Sequence, residues 1–255
     1  MARLAALFVF LLAALPSAYA AELNVVGQAT TASALRLIAP RFEKQTGDTV
    51  RLQLGNPGVT YDRIKAMPNA DVLIVATALH ERLVKEGLLS DATRVVLGQS
   101  KLGMAVSAKA KKPAPFRTKV DFIAFLRRVK TIGLVDPKGG SGTSPPFIKA
   151  VEDLGIAGEI APKYRYIQGA GENVADAIAQ GEVETGATAI PELQPNKGVK
   201  VVGAVPADVV VWGSATAAYL GPHAANSEAA RKFLRLLASP ASTKEFRAIG
   251  LSPAD

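Results

Sequence analysis

The sequence predicts an α/β protein whose sheets are mostly parallel. Short runs of β-branched and aliphatic residues alternate along the chain with amphipathic stretches of helical length. Residues 71–76 read Asp-Val-Leu-Ile-Val-Ala, an apolar run typical of a strand buried on both faces. Leu35, Ile38, Ala39 and Phe42 follow the i, i+3, i+4 spacing of one helix face.

The remaining elements follow from β-branched runs, from Ser and Thr at helix starts, and from glycines after helix ends. Strands are predicted at 23–26, 50–54, 71–76, 101–107, 131–135, 164–168, 185–190, 199–202 and 209–219. Helices are predicted after the Thr30-Thr31 pair, at 60–66, at 79–86 before Gly87, after Thr118, after the 139–144 loop with Pro145 and Pro146 in its first turn, at 172–179 before Gly181, and twice at the C-terminus, the last from Pro240.

Composition excludes several chemistries. The 255 residues include no cysteine and two histidines, His80 and His223, so thiolate metal sites, disulfides and histidine-rich metal sites are excluded. A P-loop and a dinucleotide-binding glycine pattern are absent from the sequence, and we expect no cofactor and no metal. The formal charge of +8 comes from scattered Lys and Arg, and the basic run 109–112 beside Pro113 and Pro115 indicates a solvated loop rather than a nucleic-acid site.

The first twenty residues have the layout of a secretory signal peptide. Arg3 precedes an apolar stretch from Leu4 to Leu15, and small residues stand at Ala18 and Ala20. About a dozen apolar residues are too few to span a bilayer, which needs roughly 20. We therefore expect residues 1–20 to be removed by cleavage after Ala20, and export without cysteine favours the periplasm.

Three loops share one construction, in which a strand ends, small or hydroxyl residues follow and a helix begins. They are 27–31, 139–144 and 169–174. Such a loop offers free backbone N–H groups and the positive end of a helix dipole, which together suit an anion. Hydroxyl and amide side chains in the loops, among them Thr30, Ser141 and Asn173, add neutral donors. The alternative is ordinary helix capping, for which the same residue types are common.

The order of these segments resembles the extracellular solute-binding proteins of ABC importers, in particular the molybdate-binding-protein-like group with the type II periplasmic-binding-protein fold. The resemblance rests on the hydroxyl pair Thr30-Thr31 with residues 34–42, and on residues 70–74, 97–102, 135–137, 172–174, 181–182, 186–187 and 199–202. It implies two lobes, each a mostly parallel sheet flanked by helices, joined by two crossing strands. We expect lobe 1 at 21–104 and 216–255 and lobe 2 at 105–215.

The resemblance also implies an anion held between the lobes by hydroxyls and backbone amides, without a metal or a counter-charge. By position the hydroxyl falls on Thr30 and the amides on Gly142 and Val174. A serine-rich turn of the family is replaced here by Asn56-Pro57-Gly58, and its tyrosine by Ala189 or Thr188. These departures disfavour molybdate and suit a larger anion, such as an organic carboxylate or a phosphorylated compound. The predicted ligand-binding residues are Thr30, Thr31, Asn56, Gly58, Ser141, Gly142, Thr143, Asn173 and Val174.

The sequence thus predicts a monomeric, non-enzymatic periplasmic protein that captures a small anion, either a molybdate-like oxyanion or an organic carboxylate, and delivers it to an inner-membrane ABC permease. Two alternatives stay open. One is a secreted hydrolase of phosphates or esters with Ser141 or Thr30 as nucleophile, which lacks a convincing base. The other is an envelope protein that binds no ligand, in which the three loops are simple caps.

Overall fold

One long strand, Val95–Ser107, takes part in both halves of the sheet. The computed structural model describes residues 20–111 and 115–253, so residues 1–19 of the predicted signal peptide and Lys112 and Pro113 of the basic loop lie outside the described residues. The strands are β1 (Glu22–Gln28), β2 (Thr49–Gly55), β3 (Val72–Ala76), β4 (Val95–Ser107), β5 (Ile132–Val135), β6 (Tyr164–Ile167), β7 (Thr185–Ala189), β8 (Val199–Ala204) and β9 (Gly213–Leu220). The helices are α1 (Ala32–Thr46), α2 (Pro57–Ala66), α3 (Thr77–Lys85), α4 (Lys119–Arg128), α5 (Ser144–Asp153), α6 (Ala157–Ile160), α7 (Gly171–Gln180), α8 (Ile190–Leu193), α9 (Ser227–Leu237) and α10 (Pro240–Ala248).

The pairing partners of β4 change along its length. Its first part pairs with β9 as far as Lys101 opposite Gly213, in the order β2-β1-β3-β9-β4. From Leu102 onward it pairs with β7 and β8, and β5 and β6 continue the sheet beyond β7. We call these two sections, with the helices packed on them, the first and second lobes. The predicted α/β fold is confirmed, although each lobe has two parallel and two antiparallel strand pairs rather than a mostly parallel sheet. The lobe boundaries at 104/105 and 215/216 stay predictions.

Each lobe has apolar clusters on both faces of its sheet, as expected for strands covered by helices on both sides. In the first lobe one face packs against α1, α9 and α10, where the Phe42 and Phe233 rings meet edge-on at 5.1 Å. The opposite face is filled from α2 and α3 around Tyr219. In the second lobe α4 to α6 cover one face and α7 with α8 cover the other. In the described part of the chain, a helix with the length and apolar composition to cross a membrane is not found.

Three local predictions differ from the structure. Strand β4 begins at Val95 rather than at residue 101, because a register shift at Gly98, whose φ is +146°, bends the strand without ending it. Residues 209–212 are not in a strand, and β9 begins at Gly213. Thr30 and Thr31 lie in a 3₁₀ turn, and Thr31 occupies the N-cap position of α1 without a side-chain capping bond.

Asp71 ties three segments of the first lobe together. Its fully buried carboxylate accepts hydrogen bonds from distant residues. Oδ2 accepts from the Asn24 N–H of β1 at 2.9 Å, and Oδ1 accepts from the Asn226 N–H before α9 at 2.6 Å. The carboxylate therefore holds β1 and the C-terminal helices to the start of β3.

We predict that Asp71→Ala lowers the free energy of unfolding by about 2 kcal/mol or more, because it leaves two partly buried N–H groups without an acceptor. Urea denaturation of the variant and of wild type measures the change. Asp62→Ala on the exposed side of α2 is the matched control and should unfold at the wild-type midpoint. Equal midpoints for Asp71→Ala and wild type would contradict this role.

Candidate functional site

A cavity lies between the lobes where β1, β2, β3 and β5 end. The carboxyl ends of parallel strands are the usual place for ligands in α/β folds. Counted with its open mouth, the cavity has a volume of about 690 Å³. Its walls are formed by Gln28, Ala29, Thr30, Gly55, Asn56, Pro57, Ala76, Ala78, Leu79, Ser100, Val135, Ser141, Gly142, Thr143, Gly171, Glu192, Trp212 and Ser214.

The first-lobe wall presents a hydroxyl group with no partner. Thr30 lines the cavity, and its Oγ1 is buried without any hydrogen bond. The turn that carries it is held by its neighbours: the Thr31 hydroxyl donates to the Gln28 carbonyl at 3.0 Å, and the Gln28 amide oxygen accepts from the Ala76 N–H at 2.9 Å. A buried hydroxyl left unbonded is costly, so Thr30 is ready to bond a ligand.

The second-lobe wall contains a series of neighbouring hydroxyls. Ser141 Oγ accepts from the N–H groups of Thr143 and Ser144 at 3.3 and 3.1 Å, which fixes the loop that begins α5. Thr143 Oγ1 lies 3.4 Å from Ser141 Oγ and 3.4 Å from the buried Thr188 Oγ1. Thr188 in turn donates to Glu192 Oε2 at 2.7 Å. The series connects the cavity wall to a buried carboxyl.

Among the described residues, 20–111 and 115–253, Glu192 is the only titratable residue in the cavity wall. The residue is 8% exposed, and its Oε1 accepts from the Gly171 N–H at the start of α7, at 3.3 Å. Burial raises the pKa of Glu192 to about 7, against the opposing effect of the Thr188 hydroxyl and the backbone N–H groups of Gly171 and Ala189. Position 171 requires glycine, because a Cβ atom there would overlap the Glu192 carboxyl. The cavity therefore holds a carboxyl group that is partly protonated near neutral pH.

The lobes touch each other at the cavity mouth. Asn56 Nδ2 donates to the Gly139 carbonyl at 2.7 Å and to the Gly169 carbonyl at 3.2 Å, while its Oδ1 caps α2 through the Val59 N–H. The Gly58 N–H donates to the Gly140 carbonyl at 3.2 Å. On the outer side Arg36 of α1 forms a two-bond ion pair with Glu172 of α7, at 3.1 and 3.2 Å. These contacts hold the lobes in a closed arrangement.

The structure brings five of the nine predicted ligand-binding residues to the cavity wall and places four elsewhere. The wall includes Thr30, Asn56, Ser141, Gly142 and Thr143. The other four, Thr31, Gly58, Asn173 and Val174, do not line it: Thr31 supports the Thr30 turn, Gly58 bonds the opposite lobe, Asn173 Oδ1 accepts from the Ala170 N–H at 2.9 Å, and Val174 is in the apolar core. The assignment of the nine residues to a ligand stays a prediction.

The histidines do not supply a base for the hydrolase alternative in the described structure. His80 is partly buried: its ring stacks on the Tyr219 ring at a centroid distance of 5.3 Å, and its Nε2 lies 2.7 Å from Asp91 Oδ1. His223 lies beside a separate depression near Met67. Neither lines the cavity that holds Ser141 and Thr30.

The sequence analysis did not identify Glu192, the cavity residue whose pKa is raised by burial. It follows Pro191 in Ile-Pro-Glu-Leu, where an acidic residue in a helical first turn is usually a solvated partner of the helix dipole. No local sequence pattern indicates that the residue is buried, because α7 and β7 pack against the carboxyl only in the folded protein. Trp212 also lies in the wall and donates from Nε1 to the Gly142 carbonyl at 3.2 Å.

Comparison with known proteins agrees with this geometry. The family model of bacterial extracellular solute-binding proteins matches residues 23–252. The chain belongs to this family. As a solute-binding protein, it has the two-lobed fold that the sequence predicts, and the family description places it outside the cytoplasm.

Among solved structures, this solute-binding protein is similar to the periplasmic molybdate-binding protein of Azotobacter vinelandii, with a TM-score of 0.72 and 20% identity over 91% of this chain and 100% of that chain. It is also similar to the sulfate-binding protein SubI of Mycobacterium tuberculosis, with a TM-score of 0.67 and 18% identity over 92% and 88% of the two chains. A curated relative, an aconitate isomerase of Pseudomonas sp, is 29% identical over 239 residues, which are 91% of this chain and 87% of that protein. The structural likenesses establish the fold.

We predict that Glu192 makes the stability of the ligand-free protein fall as pH rises. Its pKa of about 7 in the folded state exceeds the ordinary value of 4.5, so the folded state binds the proton more tightly between these values. The free energy of unfolding should therefore decrease from pH 4.5 to 7 by about 3 kcal/mol through this group, and stay level above. Denaturation across this range should show the decrease in wild type and its loss in Glu192→Gln. Parallel curves for the two proteins would contradict the buried carboxyl.

Proposed function

We propose that the protein captures a small organic carboxylate in this cavity, outside the cytoplasm, and delivers it to an ABC permease. The observation that carries the proposal is the buried Thr30 hydroxyl, which has no partner and lines a cavity that holds only neutral donors apart from Glu192 in the described residues. Neutral hydroxyl and amide donors bind an anion without a counter-charge, as helix N-termini do.

The wall composition favours a ligand with a carbon skeleton. Ala29, Pro57, Leu79, Val135 and Trp212 give the cavity an extended apolar surface. A bare tetrahedral oxyanion has no apolar part to place there, and any oxygen without a donor costs about 1–3 kcal/mol. The Thr188 hydroxyl at the end of β7 is engaged with Glu192 rather than free to bond an oxyanion. The curated relative's name refers to aconitate, a tricarboxylate, which supports the same class of ligand for this chain.

The proposal also covers the export of the protein, its oligomeric state and its delivery of the ligand to the permease. We infer that the protein is exported by a signal peptide cut after Ala20, acts as a monomer in the periplasm, and meets its permease in the closed, loaded form. Closure brings Asn56 and Gly58 onto the opposite lobe, so the permease distinguishes loaded from empty protein by the distance between the lobes.

Thermal denaturation of residues 21–255 tests the proposal, with molybdate, sulfate, phosphate, citrate, and cis- and trans-aconitate as probes. A ligand at a hundredfold excess over its Kd adds about 2.7 kcal/mol to stability, which raises the Tm by several degrees. We expect stabilisation by one or more of the carboxylates. Stabilisation by molybdate or sulfate alone, or by none of the probes, contradicts the proposed ligand class.

We predict that Thr30→Val weakens carboxylate binding about tenfold, because it removes one hydrogen bond to the ligand and keeps the side-chain shape. Isothermal titration calorimetry with the carboxylate that stabilises wild type measures the loss. Thr30→Ser, which keeps the hydroxyl, is the matched control and should bind within about threefold of wild type. Equal affinities for the Val and Ser variants would remove Thr30 from the site.

Gly142→Val should weaken the same ligand by a different route. A Cβ atom at Gly142 would lie 2.9 Å from Pro57 Cγ on the opposite lobe, so a larger side chain holds the lobes apart. Small-angle X-ray scattering of the variant with ligand should show a more open protein than wild type with ligand. Identical scattering with undiminished affinity would contradict the closed arrangement as the binding form.

A second candidate function is isomerisation of the captured carboxylate. Two observations favour it: the wall carries an acid–base group, Glu192, and the curated relative is named an aconitate isomerase. Incubation of the protein with trans-aconitate, followed by proton NMR, tests it directly. Formation of the cis isomer supports isomerisation. Binding without conversion contradicts it and supports the transport function only.

A further inference from the structure

We propose that Glu192 is the acid–base residue of the cavity and moves a proton between two carbon atoms of a bound, unsaturated carboxylate. The inference rests on the proposed capture of a carboxylate, and it assigns the chemistry to one side chain. The substrate class is an anion in which a methylene group stands between a carboxylate and a carbon–carbon double bond, because only such a C–H bond is acidic enough for a carboxylate base.

The geometry fixes the carboxyl at the cavity wall. Oε2 accepts from Thr188 at 2.7 Å and Oε1 from the Gly171 N–H at 3.3 Å, so the group is held from both sides and has little freedom to turn away. The carboxylate oxygens have acceptor capacity beyond these bonds, which a substrate C–H can approach from the cavity. The closed lobes keep bulk water from competing for the proton.

Few charges act on Glu192 from the elements packed around α8. On α7, Glu172 raises its pKa further, but Glu172 is paired with Arg36 of α1. The adjoining 3₁₀ turn Ala29–Thr31 and strand β7 carry no titratable side chain. The titratable residue of β4 is Lys101, which is exposed, and on β8 the Nζ of Lys200 donates to the Ala110 carbonyl. The carboxyl therefore has no bonded cation among the described residues, so no positive charge offsets the effect of burial, and Glu192 can both hold and release a proton near neutral pH.

The reaction needs no other reactant. The ionised Glu192 carboxylate removes a proton from the methylene group: one C–H bond breaks, an O–H bond forms on Glu192, and the electron pair spreads over the three-carbon unit and its carboxylates. The O–H bond then breaks as Glu192 returns the proton to the other end of the unit, and the double bond moves by one position. The Thr30 hydroxyl, which has no partner in the protein, can donate to the carboxylate on which the negative charge develops.

Proton NMR of trans-aconitate in deuterated buffer tests the assignment. Wild type should replace methylene hydrogen by deuterium, and the rate should rise with pH below the pKa of Glu192 and level off above it. Glu192→Gln should lower the exchange rate at least 100-fold, the usual contribution of a general acid–base group, while binding, measured by thermal shift, is kept. Glu182→Gln, an exposed change of the same kind in the second lobe, should exchange at the wild-type rate.

Each outcome decides between the two claims. Exchange that is lost in Glu192→Gln with binding intact supports the assignment, and if that variant does not fold, the pH dependence in wild type carries the test. Binding without exchange in wild type overturns the inference and leaves the capture function in place. Equal exchange in wild type and Glu192→Gln also overturns it. Failure of wild type to bind trans-aconitate or any other carboxylate of the thermal panel overturns the proposed function itself.

Discussion

The site depends on the contact between the Asn56–Gly58 turn of the first lobe and the Gly139–Gly142 loop of the second. The backbones of Gly58 and Gly140 meet so closely that a Cβ atom on either would lie within 3 Å of the other, and Gly140 adopts a left-handed φ of +80°. One amide group, that of Asn56, bonds a carbonyl on each of two second-lobe loops. Without this contact the cavity would be an open groove, and its hydroxyls would be bonded to water.

Burial of Glu192 determines the electrostatics of the cavity. A solvated carboxyl would be ionised, whereas burial keeps Glu192 partly protonated at neutral pH. A partly protonated carboxyl is compatible with an anionic ligand, since the neutral form donates a hydrogen bond instead of repelling the ligand. The same property makes the group suitable for taking and returning a proton. In the proposed function, the same cavity wall therefore serves both binding and proton transfer.

The fold could be predicted because its signals are local. The apolar run of β3 and the glycine that ends α7, Gly181 with φ +83°, are read directly from neighbouring residues. The first part of β4 was not predictable in this way, since Gly98 interrupts the pattern that pairing with β9 restores. Thr30 was identified at the cavity because a hydroxyl after a strand is a local signal.

The rest of the site depends on contacts between distant parts of the chain. Asn56 and Gly139 are 83 residues apart, and their hydrogen bond appears only once both lobes are assembled. Glu192 has the sequence context of an ordinary surface residue in a short helix, and only the packing of α8 against α7 and β7 buries it. A sequence pattern shows which groups can bind an anion. It does not show which of them the fold leaves without a partner.

Proton uptake on ligand binding is the most direct test of a closed cavity that contains one partly protonated carboxyl. Calorimetric titration of the protein with trans-aconitate, at pH 7.5 and in buffers of different ionisation enthalpy, gives the number of protons bound with the ligand. The bound carboxylate raises the pKa of Glu192, so wild type should take up a fraction of one proton and Glu192→Gln should take up none. Binding without proton uptake in wild type, or equal uptake in the two proteins, would contradict this account.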